Sequence, residues 1–229
     1  GNSYLVSGLS NTLKNLGERP VVVENALTEK SVLRLRNHYF NNGFFKTKVT
    51  YTIDSSEVKK AQIKYNIETD KPYFIDSLYA KVQSQDLETL FTLNKQRSVI
   101  KEGKQYNSAI LDEERERITT LFRNNGAYDF QKTYINYEVD TIGKVYKASI
   151  NLIIDNKTIK QGDTLVKEPF KLYNISEVNV FTLNNAADNR RKLTDTIVYN
   201  DTKIISEGKL NYRPKTLSNA IFIEPNEKF

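Results

Sequence analysis

Residues 35–45 read LRNHYFNNGFF, and residues 118–128 read ITTLFRNNGAY. The two stretches align at an offset of 83 residues, which places Asn41-Asn42-Gly43 on Asn124-Asn125-Gly126. Apolar residues precede each glycine at steps of three and four, the spacing of one face of an α-helix. Glycine is the residue that most easily takes the left-handed backbone that ends a helix. The chain therefore repeats a helix that stops at Asn-Asn-Gly.

Both helices carry candidate caps at their amino ends. Thr28 and Asn107 each stand before the periodic residues, and side-chain oxygens of these types accept hydrogen bonds from the free N–H groups of a first turn. We expect Thr28 and Asn107 to be the N-caps. We also expect the aromatic residues just past the glycines, Phe45 and Tyr128, to fold back onto the last helical turn.

A pair of alternating runs follows each helix, the pattern of strands with one buried face. The apolar or aromatic positions are Val49, Tyr51, Ile53, Ala61, Ile63, Tyr65 and Ile67 after the first helix, and Ile135, Tyr137, Val139, Tyr146, Ala148, Ile150, Leu152 and Ile154 after the second, whose first strand is predicted to begin at Thr133. Each pair is predicted to form a hairpin.

A third copy begins near the carboxyl end. An offset of 100 aligns Ile75 with Ile175 at the start of strand-like runs, and an offset of 123 aligns residues 100–106 with 223–229, which places Asn226 on Gly103. Leu5, Leu9, Leu13 and Leu16 suit a first helix of the first unit, which has no strand before it. Because the chain lacks methionine and starts at Gly1, we expect it to be an excised part of a longer array.

The predicted fold class is α+β, with tandem β-α-α-β-β modules that each have a three-stranded mixed sheet and two helices on one face. Residues 1–70 form a module lacking its first strand, and residues 71–156 form a complete module. Residues 157–169 are predicted to be a linker. Residues 170–229 start a third module, which carries an inserted hairpin at 184–209 and stops before its second helix.

Composition and single residues give little support to an enzyme. The chain has no cysteine, which excludes thiolate metal sites and a cysteine nucleophile. The single histidine, His38, aligns with Leu121 and is expected to be a partly buried packing residue. The acidic run Asp112-Glu113-Glu114 lies beside Arg115 and Arg117. We expect its negative charges to interact favourably with the dipole at the amino end of the helix and to form exposed ion pairs. We expect no catalytic site, metal or cofactor.

The order of these elements resembles a known family. Strand, helix, helix, strand and strand, with Gly103-Lys104-Gln105-Tyr106 before the second helix and Asn-Gly-aromatic after it, is similar to the POTRA, or polypeptide-transport-associated, domain of the BamA and TamA superfamily. The segment from Tyr212 to Phe229 resembles later POTRA domains of TamA-like proteins from the Bacteroidetes group. The resemblance covers nearly the whole chain.

The resemblance implies a periplasmic location in an outer-membrane protein whose chain continues into a membrane barrel. It implies a role in outer-membrane protein assembly or transport. The implied partners are unfolded outer-membrane protein strands or a TamB-like periplasmic protein, and nucleic acid is not expected.

In the order of these domains, the first strand of each hairpin lies at a sheet edge, and an open edge offers unpaired backbone donors and acceptors to an extended chain. The candidate partner-binding residues are Lys48, Thr50 and Thr52 in the first unit and Thr133, Tyr134 and Asn136 in the second. The polar residues among them are also typical of an edge protected against aggregation.

Two other functions stay open. A structural spacer would hold a barrel or lipid anchor at a distance without touching a client. A nucleic-acid-binding array is favoured only by the net charge of +6, and Arg190-Arg191-Lys192 is the only tight basic cluster.

Overall fold

The structure is a computed structural model that describes residues 23–57, 60–183 and 195–228. The chain divides into two compact units, Gly1–Pro72 and Tyr73–Phe229. The predicted helix with Leu5, Leu9, Leu13 and Leu16 and the basic cluster at 190–192 lie outside the described residues.

The first unit consists of one helix and one hairpin. Helix α1 (Asn25–Asn41) runs into the Asn-Asn-Gly stop, where Gly43 has a φ of 87°. Strands β1 (Lys48–Asp54) and β2 (Gln62–Glu68) are antiparallel, with Tyr51 opposite Tyr65. The helix and both strands were predicted from periodicity, and the Phe45 ring does fold back, with its centroid 4.9 Å from that of Phe40.

The start of α1 corrects the prediction that Thr28 is its N-cap. Glu24 occupies that position, and Thr28 lies inside the helix with its hydroxyl donating to the Glu24 carbonyl at 3.1 Å. A threonine in the first turn can satisfy its hydroxyl in this way, so a threonine before a periodic stretch does not fix where a helix begins.

The second unit opens with a complete β-α-α-β-β module. Its elements are β3 (Phe74–Val82), α2 (Gln85–Leu93), α3 (Ser108–Arg123), β4 (Ile135–Asp140) and β5 (Lys147–Ile154). The strand order is β3-β5-β4, with β3 parallel and β4 antiparallel to the central β5. The predicted three-stranded mixed sheet is confirmed for this module.

One face of this sheet is covered by both helices. The buried cluster joins residues of α2, α3 and β5, including Leu87, Phe91, Ile118, Phe122 and Leu152. Alternate residues of β5 are fully buried, as the period of two predicted. Asn107 caps α3 as expected, because its side-chain oxygen accepts from the Ala109 N–H at 2.8 Å.

The segment predicted as a linker, 157–169, forms a hairpin of β6 (Lys157–Gln161) and β7 (Thr164–Glu168). Directly after it, Phe170 enters the core of the complete module and is 2% exposed. Its N–H donates to the Ser84 hydroxyl at 2.9 Å, and its ring lies 5.0 Å from that of Phe130. The chain after the hairpin is therefore fixed to the module before it.

The remaining described elements form a second three-stranded sheet and a short helix. They are β8 (Val178–Thr182), β9 (Asp195–Tyr199), β10 (Thr202–Ser206) and the short helix α4 (Pro214–Ser218). Strands β9 and β10 form an antiparallel hairpin that turns about Asn200 and Asp201, within the range 184–209 for which an insertion was predicted. The order β8-β10-β9 has the same strand directions as β3-β5-β4.

Asn226 takes the place of Gly103 in this third copy. Gly103 has a φ of 75° and its N–H donates to the Ile75 carbonyl at 2.8 Å. Asn226 has a φ of 70° and its N–H donates to the Ile175 carbonyl at 2.7 Å. Asparagine is among the few residues other than glycine that tolerate this backbone region, so the loop is kept without glycine.

Candidate functional site

Strand β4 lies at an edge of the sheet in the complete module. It begins at Ile135, whereas the sequence predicted a strand from Thr133. Thr133 and Tyr134 lie instead in a short 3₁₀ turn, Lys132–Tyr134. The Tyr134 ring packs against Phe170, with centroids 5.1 Å apart.

The backbone groups of β4 alternate between its partner strand and the free side. The Asp155 N–H donates to the Tyr134 carbonyl at 2.9 Å, which makes this the first hydrogen-bonded pair of the ladder. In an antiparallel ladder such pairs alternate with pairs whose backbone groups point outward. The outward groups therefore belong to Ile135, Tyr137 and Val139.

This alternation changes which residues form the site. Asn136, predicted from sequence, turns its backbone toward β5, and its side-chain amide donates to Asp155 Oδ2 at 3.0 Å. In the first unit, Lys48, Thr50 and Thr52 all have exposed side chains on β1, which pairs with β2 alone among the described residues. A new strand beside β4 would form hydrogen bonds with the backbone of Ile135, Tyr137 and Val139. The sequence pattern predicted that the side chains of these residues lie on the buried face of the sheet.

Arg115 of α3 forms a hydrogen bond with one of these outward backbone groups. Its Nε donates to the Ile135 carbonyl at 3.2 Å, and its guanidinium carbon lies 5.0 Å from the centroid of the Tyr137 ring. The guanidinium also pairs with Asp112 on the same helix. Of the outward backbone groups of β4, those of Tyr137 and Val139 have no partner strand among the described residues.

A groove of 610 Å³ runs between α3 and the first part of β4. Its lining is polar and carries both signs of charge, from Asp112, Arg115, Glu116, Lys132, Thr133, Ile135 and Asn136. Glu116 and Lys132 pair across it at 2.8 Å, and this hydrogen bond holds the pKa of Glu116 below its ordinary value.

The Tyr137 ring lies against the guanidinium group of Arg115. Burial raises the pKa of its hydroxyl, and the nearby negative charge of Glu114 raises it further. Tyr137 is therefore neutral at physiological pH, and it offers a flat apolar face to the guanidinium above it.

The expectation that the acidic run Asp112-Glu113-Glu114 forms exposed ion pairs is wrong for Glu114. It is fully buried, and its carboxylate accepts from Arg117 Nε at 2.9 Å and from the Val99 N–H at 2.8 Å. This pair fixes α3 to the loop before it. A buried charge with these partners is satisfied, so Glu114 has a structural role behind the groove.

Within the described residues, no group of three or more His, Cys, Asp or Glu side chains could hold a metal ion. His38, expected to be partly buried, is exposed on α1, with its ring edge against Tyr39. In the part of the chain that the structure covers, no helix combines the length and hydropathy needed to cross a membrane.

No family model matches the chain, and no curated protein matches it. Among solved structures, the chain is similar to BamA POTRA3-5 of Haemophilus influenzae, with 14% identity, a TM-score of 0.37, and coverage of 90% of this chain and 65% of that one. It is also similar to BamA from Haemophilus ducreyi lacking POTRA domains 1-3, with 13% identity, a TM-score of 0.41, and coverage of 69% and 28%.

A third similar structure is POTRA1-3 of the periplasmic domain of Omp85 from Anabaena, with 11% identity and a TM-score of 0.27. The alignment covers 88% of this chain and 65% of that one, so the chain spans less than two thirds of each of the three. At TM-scores below 0.5 these likenesses decide neither family nor function. The fold class follows from the strand order and helix packing described above.

Proposed function

We propose that this chain is a non-enzymatic, polypeptide-binding scaffold of the POTRA class, in the periplasmic part of an outer-membrane protein assembly factor. Extended client or partner chains add to the free side of β4 and, in the first unit, to β1. The observation that carries the proposal is the edge position of β4, where the outward backbone groups of Tyr137 and Val139 have no partner strand among the described residues and a groove lies beside the first part of the strand.

The energetics of this edge favour weak binding. Each added backbone hydrogen bond contributes about 0.5–1.5 kcal/mol net, whereas ordering each client residue costs about 1–2 kcal/mol. Contacts in the groove must supply the difference. Because backbone groups form most of the contact, binding is tolerant of sequence, as suits a scaffold that holds unfolded strands and releases them.

The side chains named from sequence lie at or near one of the two proposed edges, β4 or β1. Thr133 and Asn136 line the groove, and Lys48, Thr50 and Thr52 stand on the exposed face of β1. The Tyr134 ring, in the turn before β4, packs against the Phe170 ring. In this proposal these side chains border the guest strand, and the outward backbone groups bind it.

A proline substitution tests the edge without breaking the sheet. Val139→Pro removes an N–H that points away from β5, a position where edge strands tolerate proline. The probe is a fluorescein-labelled peptide of alternating threonine and valine residues, titrated into the full chain. We expect hydrogen exchange of the Tyr137 and Val139 amides to slow when the peptide binds, and we expect Val139→Pro to weaken binding.

Val139→Thr is the matched control, because it keeps the branched side chain and the N–H and should bind like the parent chain. Binding that Val139→Pro leaves unchanged, or protection only at amides far from β4, contradicts strand addition. The alternative of a structural spacer is favoured by the fixation of Phe170 in the module core. A spacer predicts no peptide-dependent protection at either edge.

A further inference from the structure

We propose that Arg115 is a latch on the β4 edge, and that a guest strand must displace it to bind. This inference rests on the proposed function, since it concerns the regulation of the same edge. The Ile135 carbonyl is the first outward acceptor of β4, and Arg115 Nε already donates to it at 3.2 Å. A strand added along the whole of β4 needs this carbonyl for one of its own N–H groups.

Two further contacts hold the latch in place. The guanidinium lies over the Tyr137 ring at 5.0 Å, and its other end pairs with Asp112 one turn earlier on α3. The Arg115 side chain is 25% exposed, and Asp112 is 76% exposed. The guanidinium can therefore leave Ile135 for the groove while it keeps Asp112 as a partner, so that opening the latch leaves no charge buried and unpaired.

The first unit offers an internal comparison without a latch. At the offset of 83 residues that aligns the two helices, Val32 of α1 stands where Arg115 stands on α3, and Glu29 stands where Asp112 stands. Val49 of β1 aligns with Ile135 at an offset of 86. Valine has no donor for a backbone carbonyl. Among the described residues, the edge of β1 therefore has no counterpart of the Arg115 latch, although the two helices share an acidic residue one turn earlier.

Reciprocal substitutions test the latch. Arg115→Met keeps most of the side-chain length and removes every donor, and Val32→Arg places an arginine three residues after Glu29 in the first unit. Because the chain has no cysteine, a single introduced cysteine is a unique site for a nitroxide label. Glu138→Cys reports on β4 and Thr52→Cys on β1, and both side chains are exposed.

The labelled full chain is titrated with the same threonine–valine peptide, and label mobility measures occupancy at each edge. Loss of one charge-assisted hydrogen bond corresponds to about a tenfold change in affinity. We expect Arg115→Met to tighten binding at β4 by about tenfold and to leave binding at β1 unchanged. We expect Val32→Arg to weaken binding at β1 alone.

The outcomes separate the latch from the proposed function. Peptide binding at β4 that is equally strong with Arg115 and with Met overturns the latch and leaves the scaffold function standing. An absence of binding at both edges in every variant overturns both. If urea unfolding shows that Arg115→Met does not fold, Val32→Arg decides, because unchanged binding at β1 then contradicts the latch.

Discussion

The Gly126 carbonyl accepts a hydrogen bond from the Tyr173 N–H at 2.9 Å, and the two backbones approach so closely that a Cβ on Gly126 would lie 2.4 Å from the Tyr173 carbonyl oxygen. Gly126 is the glycine of the repeated Asn-Asn-Gly, and it has a φ of 101°. The residue that ends α3 is therefore also the place where the following segment is bound to the module.

Gly126→Ala is expected to destabilise the second unit, because the substitution strains the backbone and pushes residue 173 away. Backbone strain alone costs about 1–3 kcal/mol, and the displaced contact adds to it. Urea unfolding of the full chain measures the change. Gly103→Ala is the control: it has a φ of 75° but nothing within 4 Å of its Cβ, so it should cost only the strain. Equal losses in the two variants would contradict the role of Tyr173.

Phe170→Ala is expected to destabilise the complete module by about 3–5 kcal/mol, the usual cost of removing a buried aromatic ring from a core. The ring is 2% exposed and touches Phe130 and Tyr134, although it belongs to the chain beyond the hairpin. The unfolding free energy from urea titration checks this. Phe222→Ala is the matched control, since that ring is 93% exposed and should change stability by less than about 0.5 kcal/mol.

Local signals predicted most of the fold from sequence. The period of the apolar residues located the two helices that end at Asn-Asn-Gly and the hairpin after each of them, and the glycines marked where these helices end. The offset placed Asn226 on Gly103, where the family resemblance expects a glycine, and the structure gives both residues a positive φ. These features depend on neighbours in the chain, which a sequence displays directly.

Features that depend on distant neighbours were not predicted. Glu114 is buried because the Val99 N–H, which is fifteen residues earlier, supplies a partner for its carboxylate, and Phe170 enters a core built by other elements. The alternation of apolar and polar residues along β4 shows which side chains face the core. It does not show which residues direct their backbone N–H and C=O groups away from β5. Arg115 did leave a signal: it is a charged residue where the aligned helix has Val32.

Stability of the second unit is expected to depend on pH through Asp76, which lies at the bulge of β3. Hydrogen bonds from Lys147 at 3.0 Å and from Lys144 hold the pKa of this carboxyl below its ordinary value. A lowered pKa in the folded state gives stability that is present above the unfolded pKa of about 3.9 and is lost as the pH falls through the folded pKa.

Urea midpoints at neutral pH and near pH 3 measure this effect. We expect the drop between the two to be smaller in Asp76→Asn than in the parent chain, because asparagine does not titrate. Lys147→Met should reduce the drop in the same direction, since it removes the main donor. A drop that neither substitution alters would show that other carboxyl groups account for the acid sensitivity.

Glu114→Ala is expected to cost about 3–5 kcal/mol of unfolding free energy, the range for breaking a buried ion pair and leaving one partner behind. The substitution removes the hydrogen-bond acceptor of Arg117, whose side chain is 19% exposed, and of the Val99 N–H. Glu113→Ala, one residue earlier on the exposed face of α3, is the control and should change stability little. Both values come from urea unfolding of the full chain. A small loss in Glu114→Ala would mean that α3 keeps its place through the apolar core alone, and that the groove beside β4 does not depend on the buried carboxylate.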